Sequence, residues 1–420
     1  MAISDKLTIQ NKKLKKIDNN YQNFVEEQSA VLTLLSESPN QIAAKEVMAK
    51  IENLKKQIKS EKYKNEFDAL VAENLIAHLE FQEKYLLFIT KNKCSFEEII
   101  NLFIGSENWL TWIKEDIKNY PYLTEWNLIK EDIKTWGKYV IDIEYKGVDE
   151  QICQLINKIK GFVLAYGKTQ GILPKDYDFD LTISPPYRDE TFWQPEIKRM
   201  MISRHKFYCF KIKDKIIIDP CYAVESIVHE ILGHSAHQEN SKTLPLSLQP
   251  GTYAGSIRDN LVHIEGVAVF NAHKIASNIV EQNKKELQIT DDLIKYSKEK
   301  LKLGRTYEKA QKIFFMYLNI KRAYVQGFDW KKEIEETMQN KIAVASYSRA
   351  KKGEKKDLFE LKNHLYYYGG YKLLCEIEEK MLKKYGKASE NEKKLMRALI
   401  TGVWSWKVLP KFVDFYMREC

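Results

Sequence analysis

The sequence predicts a mainly α-helical protein with one small β element beside the helix that carries its most distinctive motif. Only 10 prolines and 17 glycines occur in 420 residues. Over long stretches the apolar residues recur at intervals of three and four, which is typical of amphipathic helices. The β element is predicted at 204–219, where two apolar runs flank Lys213-Asp214 and indicate a β-hairpin.

Two regions are expected along the chain, a helical N-terminal region at 1–180 and a second region at 181–420. In the first, residues 10–60 show a thin apolar stripe on charged helices, which predicts a helical hairpin. Residues 62–170 are predicted to continue as aromatic-rich helices. The tryptophans expected to anchor the core or an interface of this region are Trp109, Trp112, Trp126 and Trp136.

Composition favours a soluble protein of the cytoplasm. Apolar residues make up 44% and charged residues 30% of the chain, and no apolar run reaches membrane-spanning length. The first residues lack an apolar secretory segment, and the six cysteines form no C-x-x-C pair. The net charge of +9, from 67 basic and 58 acidic residues, is mild for this length. Since many lysines sit beside glutamates on helices, a solvated surface is favoured over a nucleic-acid partner.

The stretch 229–234 reads His-Glu-Ile-Leu-Gly-His and makes the most specific chemical claim in the chain. Histidine is the commonest zinc ligand, and a carboxylate beside two histidines can act on a metal-bound water. In a regular helix His229 and His234, five residues apart, would differ by about 140° around the axis. One wide π-helical turn would bring them together, and Gly233 makes such a distortion cheaper. Glu230 would then remain available as a base.

A regular helix offers a competing set. Glu230, His234 and His237 follow the spacing i, i+4, i+7 and would share one face. The bulged pair is favoured, because the competing set consumes the base.

The third ligand is expected on the following helix. Metal helices are therefore predicted at 223–238 and 260–280, ahead of a C-terminal helical bundle. Glu265 lies in an apolar segment, and a buried carboxylate is costly unless it is paired or binds a metal. It is favoured over His263, which could instead support a ligand from behind. Gly266 would permit close approach of another helix.

The motif resembles that of dipeptidyl peptidase III, H-E-L-L-G-H, whose histidines are also five apart. In that family both histidines bind zinc, the Glu is the general base, and a Glu on a later helix is the third ligand. The chain lacks that family's E-E-C-R-A-E signature, so this likeness is confined to one motif.

A broader likeness is to a bacterial domain-of-unknown-function family of helical, gluzincin-like proteins. Its motifs read roughly H-E-A-x-P-G-H-H-L-Q, E-G-W-A-L-Y and Y-x-x-G, with a closing G-x-x-P-L. The order and rough spacing match over about residues 180 to 415, although Val267 stands where that family has Trp. The corresponding pieces are 229–238, 265–270, 367–370 and 402–410.

These resemblances imply a gluzincin-like zinc metallopeptidase, with 181–420 as its catalytic region. The expected site has one Zn²⁺ on His229, His234 and Glu265, with Glu230 as general base. Related helical metallopeptidases supply an oxyanion-binding tyrosine from a C-terminal segment, and Tyr367 matches it best; a packing role in the Tyr366–Tyr368 cluster is about equally expected. The substrate would be a peptide, and the enzyme would act as a carboxypeptidase or an oligopeptidase.

Two alternative functions remain. One is a non-haem iron enzyme that uses the same cluster, and the other is a non-catalytic helical scaffold. Oligomeric state is left open.

Overall fold

The computed structural model describes residues 6–37, 41–90, 109–119, 140–142, 148–184, 191–203, 208–212, 215–250, 261–338 and 355–420. Within these ranges the chain is mainly helical, as predicted. Its α-helices are α1 (Lys12–Glu37), α2 (Gln41–Lys59), α3 (Glu66–Thr90), α4 (Trp109–Asn119), α5 (Val148–Thr169), α6 (Pro220–Val228), α7 (Ala236–Ser241), α8 (Leu261–Gln282), α9 (Lys284–Leu287), α10 (Asp291–Leu303), α11 (Lys309–Tyr324), α12 (Trp330–Met338), α13 (Lys355–Tyr385), α14 (Ser389–Leu399) and α15 (Leu409–Glu419). One π-helical segment, His229–Ser235, joins α6 to α7, and another, Gly304–Glu308, joins α10 to α11.

Six short strands form two three-stranded sheets in the described part of the chain. They are β1 (Val140–Asp142), β2 (Asp180–Ile183), β3 (Phe192–Gln194), β4 (Arg199–Ile202), β5 (Tyr208–Ile212) and β6 (Lys215–Ile218). The first sheet has the order β1-β6-β5 and is antiparallel. The second has the order β2-β4-β3, with β2 parallel and β3 antiparallel to β4.

The predicted hairpin at 204–219 is confirmed by β5 and β6, which pair from Tyr208–Ile218 to Ile212–Lys215. Its turn, Lys213-Asp214, lies outside the described residues. The other four strands were missed, and β1 falls within a stretch predicted to be helical. Each has only three or four residues, which is too short to show an alternating pattern. Strand β3 packs against the π-helical segment His229–Ser235.

The N-terminal helices form the predicted hairpin and bury its apolar stripe as far as Val25, the last stripe residue whose burial is described. Helices α1 and α2 pack against each other and against α3. Of the tryptophans predicted to anchor the core or an interface, Trp109 is buried and Trp112 is partly buried, whereas Trp126 and Trp136 lie outside the described residues. The buried stripe residues of α1 are Leu14, Ile17, Tyr21, Phe24 and Val25.

One continuous apolar core includes residues from both predicted regions, from Leu7 to Met417. Asn74 of α3 links them directly. Its side chain donates to the carbonyl of Val403 (3.2 Å) and accepts from the backbone N–H of Ser405 (2.7 Å). The division at residue 180 stays a prediction.

The helix that carries the motif begins where its sequence provides a cap. The Asp219 carboxylate accepts hydrogen bonds from the backbone N–H groups of Cys221 (3.0 Å) and Tyr222 (3.1 Å), the usual role of an N-cap aspartate. Pro220 occupies the first turn, where its missing N–H costs nothing. The helical run continues through the π-helical segment to Ser241, close to the predicted span 223–238.

Helices α8 and α13 run side by side in the same direction and pack backbone against backbone. A Cβ on Gly266 would lie 2.8 Å from the Cα of Gly370, and a Cβ on Gly370 would overlap the carbonyl oxygen of Val262. Eight residues further along each helix, Lys274 forms an ion pair with Glu378. The close approach that Gly266 was predicted to permit is therefore present.

Among the described residues, no helix combines the length and the apolar character needed to cross a membrane.

We predict that Gly370→Ala lowers the free energy of unfolding by about 1–3 kcal/mol, because the added methyl group forces α8 and α13 apart. Urea denaturation measures this change. Gly369→Ala is the matched control, since a Cβ at Gly369 meets no atom within 4 Å. This control should stabilise the helix by roughly 0.5–1 kcal/mol. Equal effects of the two substitutions would contradict the packing account.

Candidate metal centre

The motif residues lie on a π-helical segment, His229–Ser235. The backbone N–H of Ala236 bonds to the carbonyl of Ile231, five residues earlier, which is the π-helical pattern. The wide turn predicted from the spacing of the two histidines is thus confirmed.

A side chain from α8 stabilises this irregular segment. Asn271 is fully buried, and its amide donates to the carbonyl of Leu232 at 2.6 Å. Ser235, at the end of the segment, shares a hydrogen bond with the hydroxyl of Tyr177. Buried carbonyl groups need such partners, so Asn271 helps to hold the wide turn in place.

Gly233 serves packing rather than an unusual backbone conformation. A Cβ at this position would lie 2.5 Å from the Cα of Ala268 on α8. Gly233 is absent from the residues with positive φ. The glycine therefore allows the π-helical segment to lie directly against α8, which carries Glu265.

The structure brings together His229, His234 and Glu265, whose potential ligand atoms all lie within 4.8 Å of one another. The Nε2 atom of His234 is 3.5 Å, and that of His229 is 3.9 Å, from Oε2 of Glu265. The two imidazole rings stand almost perpendicular, at 83°, with centroids 5.0 Å apart. It is the one such cluster of histidine, cysteine and carboxylate groups within the described ranges.

The electrostatics of the cluster keep the Glu265 carboxylate charged. Burial would raise the pKa of Glu265, but the charge of His234 and hydrogen bonds from His234 and Tyr367 outweigh it and lower that pKa. For His234, burial would lower the pKa, but the charge and hydrogen bond of Glu265 raise it to about 9. Glu265 thus presents an anionic oxygen to both imidazole rings.

Glu230 and Tyr367 lie beside this cluster. The Glu230 side chain is mostly buried, and its charge raises the pKa values of both His234 and Tyr367. Burial, followed by the charge of Glu265, raises the pKa of Tyr367 well above its usual value. Tyr367 therefore stays protonated and can donate a hydrogen bond.

The tyrosine cluster on α13 divides between core and site. Tyr366 and Tyr368 are buried at 4% and 2% exposure, whereas Tyr367 is partly exposed and stacks on the ring of His229 with centroids 6.3 Å apart. The packing role applies to the two neighbours. Lys309 of α11 also approaches this tyrosine, with Nζ 4.6 Å from the centroid of the Tyr367 ring.

The competing set is not brought together. Nε2 of His237 donates to the carbonyl of Gly402 at 2.7 Å, and burial lowers the pKa of His237 to about 4. His263 bonds through Nε2 to the carbonyl of Leu399 (2.9 Å) and accepts through Nδ1 from the backbone N–H of Trp404 (3.1 Å). Both rings are engaged by the end of α14 and the segment that follows it, and neither ring belongs to the cluster of His229, His234 and Glu265.

Asn271 and Lys309 are two residues near the cluster that were not predicted to have a role. Asn271 could have been recognised from the sequence, because it is a polar residue on the apolar face of the predicted helix 260–280. Nothing in the sequence around Lys309 distinguishes it from the many other helical lysines.

No protein-family model matches the chain, and no curated protein matches it significantly. Among solved structures, a predicted lipoprotein from Colwellia psychrerythraea is similar at 11% identity and a TM-score of 0.43, covering 97% of this chain and 75% of that one. A predicted lipoprotein of unknown function from Shewanella oneidensis is similar at 11% identity and a TM-score of 0.38, covering 88% and 72%. Likeness at this level carries no functional inference.

We predict that Asn271→Ala lowers the free energy of unfolding by about 1–3 kcal/mol, because the buried carbonyl of Leu232 loses its partner. Asn278→Ala, at an exposed position on the same helix, should change it by less than about 0.5 kcal/mol. Urea denaturation of both variants checks the difference. If the two lose the same stability, Asn271 does not support the wide turn.

Proposed function

We propose that the protein is a zinc-dependent peptidase that hydrolyses peptide bonds with the help of Glu230 and Tyr367. One observation carries the proposal. Two histidines and a carboxylate converge on one point, and a second carboxylate and a protonated tyrosine stand beside them.

The donor set fits a zinc ion. Zinc lies about 2.0–2.2 Å from imidazole nitrogen and carboxylate oxygen, so two of its ligand atoms can be at most about 4 Å apart. The separations of 3.5 and 3.9 Å between Glu265 Oε2 and the two Nε2 atoms satisfy this limit. Oε2 of Glu265 is also buried and lies 3.5 Å from Nε2 of His234, too far for a strong hydrogen bond, which leaves this oxygen open to a metal.

The remaining residues suit the chemistry of hydrolysis. Zinc held there would lower the pKa of a water molecule and polarise the scissile carbonyl. Glu230 takes the proton of the water as its oxygen bonds to the carbonyl carbon, and then passes it to the nitrogen as the C–N bond breaks. Tyr367 donates its hydroxyl hydrogen to the carbonyl oxygen as negative charge develops there.

Several expectations accompany the proposal and stay predictions. They are a peptide as substrate, carboxypeptidase or oligopeptidase action, and a cytoplasmic location. Two histidines with one carboxylate can also hold ferrous iron. We favour zinc because Glu230 and Tyr367 are suited to proton transfer rather than to redox chemistry.

We predict that the purified protein binds one zinc ion and that Glu265→Gln weakens this binding by more than about 100-fold. Removing a residue that only hydrogen-bonds to a metal ligand already lowers metal affinity by about 10–100-fold, and Glu265 is a predicted ligand itself. Competition with a chelating dye measures the affinity. The control is Glu281→Gln on the same helix, where the exposed side chain pairs with Lys298. An unaltered affinity in Glu265→Gln, or iron in place of zinc by elemental analysis, would refute the assignment.

We predict that Glu230→Gln and Tyr367→Phe each lower the rate of peptide cleavage by at least about 100-fold while zinc remains bound. Mass spectrometry of a mixed peptide library reports the cleavage, and elemental analysis reports the zinc. Glu239→Gln, which removes a carboxylate paired with Lys242 on the same helical run, should leave the rate unchanged. Full activity of Glu230→Gln would exclude this glutamate as the base.

A further inference from the structure

A cavity of about 270 Å³ lies between α6, α8, α10 and α13. Helix α8 carries Glu265, and α6 leads directly into the segment that carries His229 and His234. The cavity has no lining residue in common with the cluster of His229, His234 and Glu265. Small-molecule sites in proteins start at about 300 Å³, so the cavity has room for one amino-acid side chain.

On α6 the cavity wall continues the face that carries His229. Cys221 and Glu225 line the cavity, and each step from Cys221 to Glu225 to His229 is four residues. Positions four apart lie one above the other on one face of a helix. The wall therefore begins four residues, about 6 Å along the helix axis, from a predicted metal ligand.

The same continuity holds on the other two helices. On α8, Ala272 and Ala276 line the cavity and follow Glu265 by seven and eleven residues, which keeps all three on one face. On α13, Tyr371 lines it and follows Tyr367 by four residues. The three helical runs that carry the cluster and Tyr367 thus also form the cavity wall.

The wall exposes more apolar than polar surface, although Glu225 and Lys298 also line it. The small residues Ala272, Ala276 and Ser277 of α8 leave the space open. Val280, fifteen residues beyond Glu265 on α8, lies at the end distant from the cluster, and Ile294 of α10 also lines the cavity. Near the cluster, the ring of His273 stacks on Tyr371 with centroids 4.5 Å apart at 21°. Burial of an apolar side chain is the main gain that such a wall can offer.

We propose that this cavity is a specificity pocket that receives an apolar side chain of leucine or methionine size, adjacent to the bond that is cleaved. The inference rests on the proposed function. It makes the substrate class peptides with such a residue next to the scissile bond.

Amino-acid hydroxamates test the pocket without catalysis, because the hydroxamate group binds zinc and the side chain samples the cavity. Isothermal titration calorimetry on the zinc-loaded protein compares glycine, alanine, leucine, phenylalanine and lysine hydroxamates. Leucine hydroxamate is expected to bind at least about tenfold more tightly than glycine hydroxamate, the effect of burying its side chain. In Ala276→Leu this difference should vanish, because the new side chain fills the cavity.

A second variant covers the case in which Ala276→Leu does not fold. Val280→Ala enlarges the distant end of the cavity and should raise the affinity for phenylalanine hydroxamate relative to leucine hydroxamate. Val163→Ala is the control, since Val163 is buried on α5 and is absent from the cavity wall; it should leave the ratio unchanged.

The outcomes separate the two proposals. If no hydroxamate binds, the metal site fails, and the pocket assignment fails with it. Equal binding of all five hydroxamates would overturn the pocket alone. Tightest binding of lysine hydroxamate would do the same, because Glu225 rather than the apolar wall would then govern selectivity.

Discussion

Close backbone contact between three helical segments is the constraint on which the candidate site depends. Gly233 lets the π-helical segment lie against Ala268 of α8, and Gly266 lets α8 lie against Gly370 of α13. Helices with ordinary side chains at the contact pack 8–10 Å apart, and removing the Cβ atoms brings these backbones closer. Each glycine lies within three residues of a site side chain, so the contacts set the distances among His234, Glu265 and Tyr367. The candidate site is thus a consequence of how the helices pack.

The same packing buries the Glu265 carboxylate, and the neighbouring site residues offset the free-energy cost of that burial. Glu265 lies on a helix surrounded by apolar side chains, where an isolated carboxylate would be expensive. His234 and Tyr367 offset that cost by charge and hydrogen bonding, and so lower the pKa of Glu265. A metal cation would offset the same cost more fully. Burial of Glu265 therefore favours a cation between the two histidines on physical grounds, independently of any resemblance.

The sequence could predict the parts of the site that follow from local spacing. Two histidines five residues apart imply a wide turn if they bind the same metal ion. An acidic residue in an apolar helix implies a buried partner. Neither inference requires knowledge of contacts between distant parts of the chain. The hydrogen bond of His237 could not be predicted, because its partner, Gly402, is 165 residues away in the sequence. The hydrogen bond from Asn271 to Leu232 could not be predicted either, because it depends on which side of α8 faces the π-helical segment. Four strands escaped prediction because three or four residues carry too little pattern, although the mainly helical fold did not depend on them.

The wide turn also explains why one helical run carries three histidines that do two different things. In a regular helix Glu230, His234 and His237 would share a face. The extra residue in the turn rotates the rest of the helical run, so His234 faces Glu265 and His237 faces the segment between α14 and α15. That segment also holds His263, two residues before Glu265. It therefore contacts both helical runs that carry the cluster. The backbone irregularity that assembles the site is thereby also the one that joins it to the C-terminal part of the core.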